Sequence, residues 1–410
     1  MPDKYGQGAE FGEKPSAIVV GGGPAGLTAA IALAAGGIAT VLVGKRPARP
    51  DNRTTALLAG SVTALTTLGI WPRCVSQAAA LKVMRIIDDT GRLWRAPEVN
   101  FSADEIDLEA FGYNIENRHL VAALEQHAGA LANLRMIEDE VSSIEPDDAA
   151  VGVTLKSGEA LRAPLVIGAD GRHSLCRQAA GIGMDEREYK QAALTVCIKH
   201  SRPHRDTSTE FHTPSGPFTL VPLPGRRSSL VWVLDPIHAD DIAALDDAEL
   251  SAEIERASHS ILGKIEVEPG RGLFPLSVAT AKRFGNRRIA LIGEAAHVIP
   301  PIGAQGLNLG LRDAAAICEL AVAAYRDGRD IGAADVLTAY DTMRRADVGS
   351  RTLAIDLLNR TLLTDFLPVQ GMRGLGLYLL DRIGPLRRAA MREGVAPAAA
   401  QPRLMRGEAL

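Results

Sequence analysis

Cysteine is scarce in this chain. Four stand among 410 residues, at 74, 176, 197 and 318, and no two form a C-x-x-C pair. That spacing offers neither a disulfide framework nor a thiolate metal cage, and it fits a reducing compartment. Aromatic residues make up only 4%. A dominant charge sign is also missing: 45 basic residues face 49 acidic ones, for a net charge of -4. No basic face is left to follow a phosphate backbone, which excludes nucleic acid as the main partner. The nine histidines fall at no ligand spacing such as H-E-x-x-H, so no metal site is expected. The first 14 residues are polar and lack an apolar core, so no signal peptide is read there. Residues 16–44 hold no charge and pass for a membrane span by hydropathy alone. Glycines and a proline interrupt them, however, and Ile18-Val19-Val20 and Val41-Leu42-Val43 read as short parallel strands buried on both faces.

What is present is ordinary for a globular protein: 46% apolar and 23% charged residues, in a chain long enough for two domains. A first strand, a glycine turn, a small-residue helix and a second strand make a βαβ unit over 17–43. Apolar spacing predicts a helix over 54–68 and another over 118–131, with a strand over 81–88 between them. A hairpin is expected from 151–155 and 161–167. From about residue 189 the pattern changes to antiparallel strands at 193–199, 218–222 and 229–234, then one helix over 240–261. A buried strand returns at 288. The expected class is α/β. A discontinuous Rossmann-like domain takes 16–81, 109–185 and 285–345, a second sheet domain takes 82–108 and 186–284, and 346–410 is a helical C-terminal region.

Two helix-opening loops stand out. Gly21-x-Gly23-x-x-Gly26 lies between a strand and a helix, the context in which a dinucleotide fingerprint carries meaning. The second runs from Gly293-Glu294 through Pro301, Gly303, Gly306 and Gly310 into a helix. Such loops present unpaired N–H groups and the positive end of a helix dipole to something negative. Two of them point to one large bound group gripped at both ends. Position 44 departs from the fingerprint, because a dinucleotide fold usually places an acid there to hold a ribose. Lys45 and Arg46 follow Gly44, a pair that tolerates a 2′-phosphate.

Four segments, in order, resemble the single-component FAD-dependent aromatic hydroxylases, and more narrowly the UbiH/UbiF-type hydroxylases of ubiquinone biosynthesis. They are Gly21-Gly-Gly-Pro-Ala-Gly-Leu27, Arg53-Thr-Thr-Ala-Leu57, Gly168-Ala-Asp-Gly-Arg-His-Ser174, and Gly293-Glu-Ala-Ala-His297 with Pro301 to Asp313. The resemblance implies a para-hydroxybenzoate-hydroxylase-like fold, with FAD as cofactor and NAD(P)H as transient reductant. It places Gly21, Gly23, Pro24, Ala25 and Gly26 at the FAD pyrophosphate, and Arg53 and Arg118 at the phosphate and ribityl region. Asp170 serves FAD and the incoming nicotinamide. Gly293 and Glu294 lie on the ribityl side, with Glu294 standing where the family has aspartate. Gly306, Leu307 and Asn308 lie along the flavin ring, and Pro301, Gly303 and Gln305 stand on its catalytic side. The implied activity is hydroxylation of a polyprenylated phenol with O2, through a flavin C4a-hydroperoxide. The alternatives are a soluble phenol as substrate, or a non-catalytic FAD-binding subunit working with other ubiquinone-biosynthesis enzymes. His212, in a segment expected behind the substrate, is read first as a hydrogen-bonded sheet residue. Residues 362–391 join leucines to Arg373, Arg382, Arg387 and Arg388. They read equally as a helical lid on the FAD domain or a dimer contact, and as a basic amphipathic segment on an anionic bilayer. The expected location is the cytoplasm, peripheral to the inner face of the cell membrane.

Overall fold

The computed structural model describes residues 15–45, 53–91, 96–301, 303–363, 382–395 and 401–410. Along the charge-free run, Ala17–Val20 and Thr40–Val43 pair in parallel and α1 (Pro24–Ala35) connects them. Both strands are wholly buried, as is most of the helix. The missing charge therefore reflects burial inside a sheet that is covered on both faces. Leu165–Gly168, Ile289–Leu291 and Gly285–Asn286 extend this sheet on one side and Leu134–Ile137 on the other, making six strands. All pairings in it are parallel except the outermost, at Gly285–Asn286.

The expected helix over 54–68 is divided. Thr54–Leu58 is a strand, and only Ala59–Thr67 is helical (α2). A distant strand, Gly112–Glu116, captures the first five residues by antiparallel pairing, and local apolar spacing does not reveal that partner. α3 (Asn117–Ala128) follows directly and buries Leu120, Ala123, Leu124 and Ala128. The expected hairpin is cut short. Ala160–Ala163 pairs with Val151–Leu155, but beyond Pro164 the chain leaves for the six-stranded sheet. Proline has no N–H for the ladder, which makes it a natural point of exit. α4 (Leu175–Ala179) is a single short turn.

The second layer is a nine-stranded sheet. Met184–His200 lies between Gly272–Ala281 and Arg227–Leu234, and Gly216–Leu223 and Thr207–Thr213 follow in hairpin order. Val83–Asp88 and Val99–Ser102 complete the edge, and Val83–Asp88 runs parallel to Thr207–Thr213. The layer is thus mixed, not wholly antiparallel. The region expected as one helix at 240–261 is two, α5 (Pro236–Ala244) and α6 (Asp247–Ala257). Asp246 breaks the run because its carboxylate caps α6, accepting from the N–H groups of Ala248 and Glu249. These helices cover Leu194, Phe211, Phe218, Leu230 and Trp232 on one sheet face. The other face meets the first domain, where Asn114 Nδ2 donates to Pro222 O and Ser229 Oγ.

α7 (Gln305–Arg326) packs along α1, and α8 (Ala334–Leu363) packs along α7. Most of the 362–391 segment, residues 364–381, lies outside the described residues. Its last part belongs to α9 (Gly384–Val395), which buries Met391 against Ala103, Ile106 and Phe111. Arg387 does not face outward. It donates to both oxygens of Glu105, at 2.6 and 2.7 Å, and stacks on Phe101. The final ten residues are not a long helix. They cross α2 and α7 around one short turn, with Leu404 and Met405 buried and Arg403 N donating to Glu319 Oε2.

Candidate flavin site

The turn at 21–26 is shaped by side chains that are absent. Gly21 has φ +123°, and a Cβ there would lie 2.1 Å from Ala169 O; one on Gly26 would lie 2.0 Å from Gly21 O. Glycine is required at both points, and the contact brings this turn against the 168–171 turn. Gly23 caps α1 with no side-chain hydrogen bond, Pro24 occupies the first turn, and no acidic residue stands there. The first N–H groups of α1 are therefore open to an anion.

Gly44 now has a physical reason. A Cβ at this position would lie 2.4 Å from Gly22 N, so the glycine turn rests directly on the end of the second strand. The usual acid is sterically excluded. Lys45 is engaged too, its Nζ lying 2.6 Å from Glu140 Oε1. Arg46 lies outside the described residues.

The second turn meets the first. Gly293, in the left-handed region at φ +59°, and Gly310 both lie against Ala25. α7 opens at Ala304, also left-handed at φ +54°, with no side-chain cap and no acid in its first turn. A non-glycine residue there is strained by roughly 1–3 kcal/mol, and such strain persists only where the surroundings impose it. Asn308 imposes it. Its Nδ2 donates to Ala304 O (2.6 Å) and Ala56 O (2.8 Å), and its Oδ1 accepts from Leu58 N (2.9 Å) and Ser61 Oγ (2.6 Å). Those four bonds use the whole capacity of the amide. The Asn308 side chain therefore positions the turn, with its amide fully engaged inside the protein. Pro301, Gly303, Glu294 and Gly306 are exposed at the mouth, and Gln305 and Leu307 are half-buried beside them.

Arg53 and Arg118 are brought together. Thr54 pairs with Glu116, and Asn117 N donates to Arg53 O. Arg118 Nη2 donates to Glu116 Oε1 at 2.9 Å, and Arg53 stacks over the ring of Phe274. Burial pushes the Glu116 carboxyl up, but Arg227 and Arg118 outweigh it and hold the group below its ordinary range. Asp170 accepts from Ser174 Oγ (2.6 Å) and Cys176 N (3.0 Å), one bond on each oxygen. A carboxylate has about four lone-pair sites, so acceptor capacity remains. His212 is buried in the second sheet with Nε2 2.9 Å from Glu210 Oε1.

Sequence reasoning missed the groups behind the second turn. Asp313 is fully buried; its Oδ2 accepts from Gly293 N (2.9 Å) and lies 2.6 Å from His297 Nε2, while its Oδ1 accepts from Arg344 Nε (2.6 Å). Burial raises the Asp313 carboxyl, but His297 and Arg344 overcome it and keep it ionised below the usual range. One signal was available: an aspartate within an otherwise apolar helix face demands a partner.

These features fit FAD. Two bare helix N-termini, the arginines at 53 and 118, and turns packed edge to edge suit a long ligand with a pyrophosphate at its centre. A family model described as an FAD binding domain matches residues 14–353. The chain belongs to that family. FAD is accordingly its cofactor. The chain is 35% identical to the ubiquinone hydroxylase UbiL of Rhodospirillum rubrum over 400 residues, 95% of this chain and 92% of the relative. It is 34% identical to the 3-demethoxyubiquinol 3-hydroxylase of Escherichia coli over 382 residues, 91% of this chain and 96% of that one. Among solved structures, p-nitrophenol 4-monooxygenase PnpA of Pseudomonas putida superposes with a TM-score of 0.77 at 20% identity, covering 94% of this chain and 99% of that one. At that identity the likeness shows the fold alone. With these relatives, the flavoprotein is an FAD-dependent monooxygenase of the aromatic-hydroxylase class.

Proposed function

We propose that this flavoprotein hydroxylates the aromatic ring of a polyprenylated ubiquinone precursor, using O2 and reducing equivalents from NAD(P)H. The observation that carries the reading is the convergence of the 21–26, 168–171 and 293–308 turns around two uncapped helix N-termini, in a chain with near full-length likeness to two ubiquinone-pathway hydroxylases. When bound, FAD supplies the oxygen-activating redox chemistry. The protein's own part is placement and electrostatics. α1 and the arginines at 53 and 118 hold the phosphate end. The dipole of α7, opening at Gln305, stabilises negative charge on the reduced ring. Pro301 and Gly303, on the turn that opens α7, would flank the bound ring on its substrate side. No paired carboxylates or triad are needed for this division of labour.

The substrate's prenyl tail partitions into lipid, so the reading also places the protein at the inner face of the cell membrane. The exposed Ile383 and Leu386, beside Arg382 and Arg388, support that placement. Liposome flotation of the full chain against one ending at Thr361 tests it; equal flotation removes the membrane contact. The activity is tested by the quinone extract of a deletion strain. Loss of ubiquinone with build-up of an under-hydroxylated prenyl precursor is expected. An unchanged profile, with NAD(P)H oxidation stimulated by a small soluble phenol, overturns the substrate assignment.

A further inference from the structure

Behind the 293–308 turn lies a run of buried charge for which the chemistry above has no use. On α8, Arg344 Nη1 donates to Asp347 Oδ2 at 2.6 Å, beside its bond to Asp313. Asp347 Oδ1 also accepts from Arg351 Nε at 3.1 Å, and its Oδ2 lies 3.1 Å from Arg312 Nε on α7. Arg351 then reaches forward. Its Nη1 donates to Gln305 Oε1 at 3.0 Å, and Gln305 Nε2 donates to Gly303 O at 3.1 Å. The chain of contacts ends on the turn that opens α7.

Among the described residues, charge does not balance along it. The guanidiniums of Arg312, Arg344 and Arg351 face the carboxylates of Asp313 and Asp347, and the three arginine side chains are only 11%, 3% and 12% exposed. Burying an unmatched charge is costly, so a cluster serving the fold alone gains nothing from its third guanidinium. Among the described residues, Arg312 Nε, though ion-paired with Asp347, and Arg344 Nη2 are moreover buried without a hydrogen bond. Burial pushes the Arg312 guanidinium down to about 10, with Asp347 opposing. The surplus is favourable once a negative group sits in front of the turn.

We infer that Arg351 is a positioning residue: through Gln305 it sets the 303–308 turn, and it places the surplus positive charge of the α8 cluster behind the reduced, anionic flavin ring. The inference rests on the reading that this turn lines the ring. It extends the α7 dipole with a second source of positive potential, and that source lies on a different helix.

The test uses the FAD-loaded protein and reads the oxidised-to-reduced flavin ratio against a reference dye at fixed potential. Arg351→Met is expected to raise that ratio about threefold or more, roughly 14 mV for a two-electron couple. Arg351→Lys keeps the charge and restores most of the difference, which a merely structural role does not predict. Gln305→Leu leaves the cluster intact, cuts its link to the turn, and should shift the ratio in the same direction. If Gln305→Leu shifts the ratio and Arg351→Met does not, the turn lines the ring but α8 does not act on it, and the inference is overturned. If neither shifts it, the turn is not beside the ring and the underlying reading fails instead. Should Arg351→Met lose its FAD, Arg351→Gln, neutral and closer in shape, decides on the same scale.

Discussion

The turn at 21–26 holds its shape through side chains it lacks, and the turn at 293–308 through charges buried behind it. In the first, glycine lets backbone meet backbone, and the contacts at Ala169 and Gly22 leave no volume for a Cβ. In the second, Gly293, His297 and Ala304 are fixed from outside, by Asp313 and Asn308 on α7, and Arg344 on α8 holds Asp313 in turn. One turn is rigid because it is full, the other because it is wired. Both leave helix N–H groups uncapped. α6, in the other domain, is closed by a reciprocal Asp246–Glu249 box. α2 and α3 also begin without a side-chain cap, so a bare start marks a ligand site only where, as at α1 and α7, it opens from a glycine turn packed against the other.

Breaking the wiring should cost most. Asp313→Ala leaves His297 buried without its carboxylate and Arg344 with Asp347 alone, and a loss of about 3–5 kcal/mol is expected in chemical denaturation. A loss below about 1 kcal/mol would mean the second turn does not depend on its charges. The same network carries a pH signature. Asp313, and Asp347, whose burial is outweighed by Arg344 and Arg312, titrate below their ordinary range when folded. The unfolded chain therefore takes up protons first as pH falls. The stabilisation is complete above about pH 5 and drains away through and below the ordinary carboxylate range near pH 4. Melting curves from pH 7 to 3 should show the gap between wild type and Asp313→Asn closing toward acid; a gap that widens contradicts the assignment.

Filling the first turn comes next. Gly26→Ala forces a methyl onto Gly21 O, and roughly 1–3 kcal/mol of overpacking is expected together with loss of bound flavin, read from visible absorbance after gel filtration. Normal yellow protein would show that the turn can relax. Asn308→Ala strands the buried Ser61 hydroxyl and the half-buried Leu58 N–H and frees the strained Ala304, at about 1–3 kcal/mol. Flavin content should fall more than melting temperature, since the turn loses its geometry before the fold loses its core. The smallest effect is expected at Lys45, which is exposed and paired with Glu140. Lys45→Ala should change neither FAD content nor any preference between NADPH and NADH. A loss of NADPH preference would restore a 2′-phosphate role to the basic pair after Gly44.

The sequence was most legible where a constraint is local. The βαβ unit, the glycine turn and the opening of α7 follow from runs of neighbouring residues. So does the rejection of a membrane span, since burial on both sides of a parallel sheet explains the missing charge. It was misleading where the deciding partner is remote. Thr54–Leu58 has helical spacing yet is a strand, because Gly112–Glu116 offers it a ladder. The 240–261 helix breaks at Asp246 for a cap, and the sheet edge is mixed because Val83–Asp88 docks parallel to Thr207–Thr213.

By itself, then, the order of residues determined the α/β class, the two helix-opening turns and the flavin family, because glycine spacing and apolar runs act over a few residues. Only the tertiary structure decided why position 44 must be glycine, what the Asn308 amide holds and which arginines stand behind the flavin turn. Those answers depend on Gly22, on Ala56 to Ser61 and on α8, groups far away along the chain that folding brings within hydrogen-bond or contact distance.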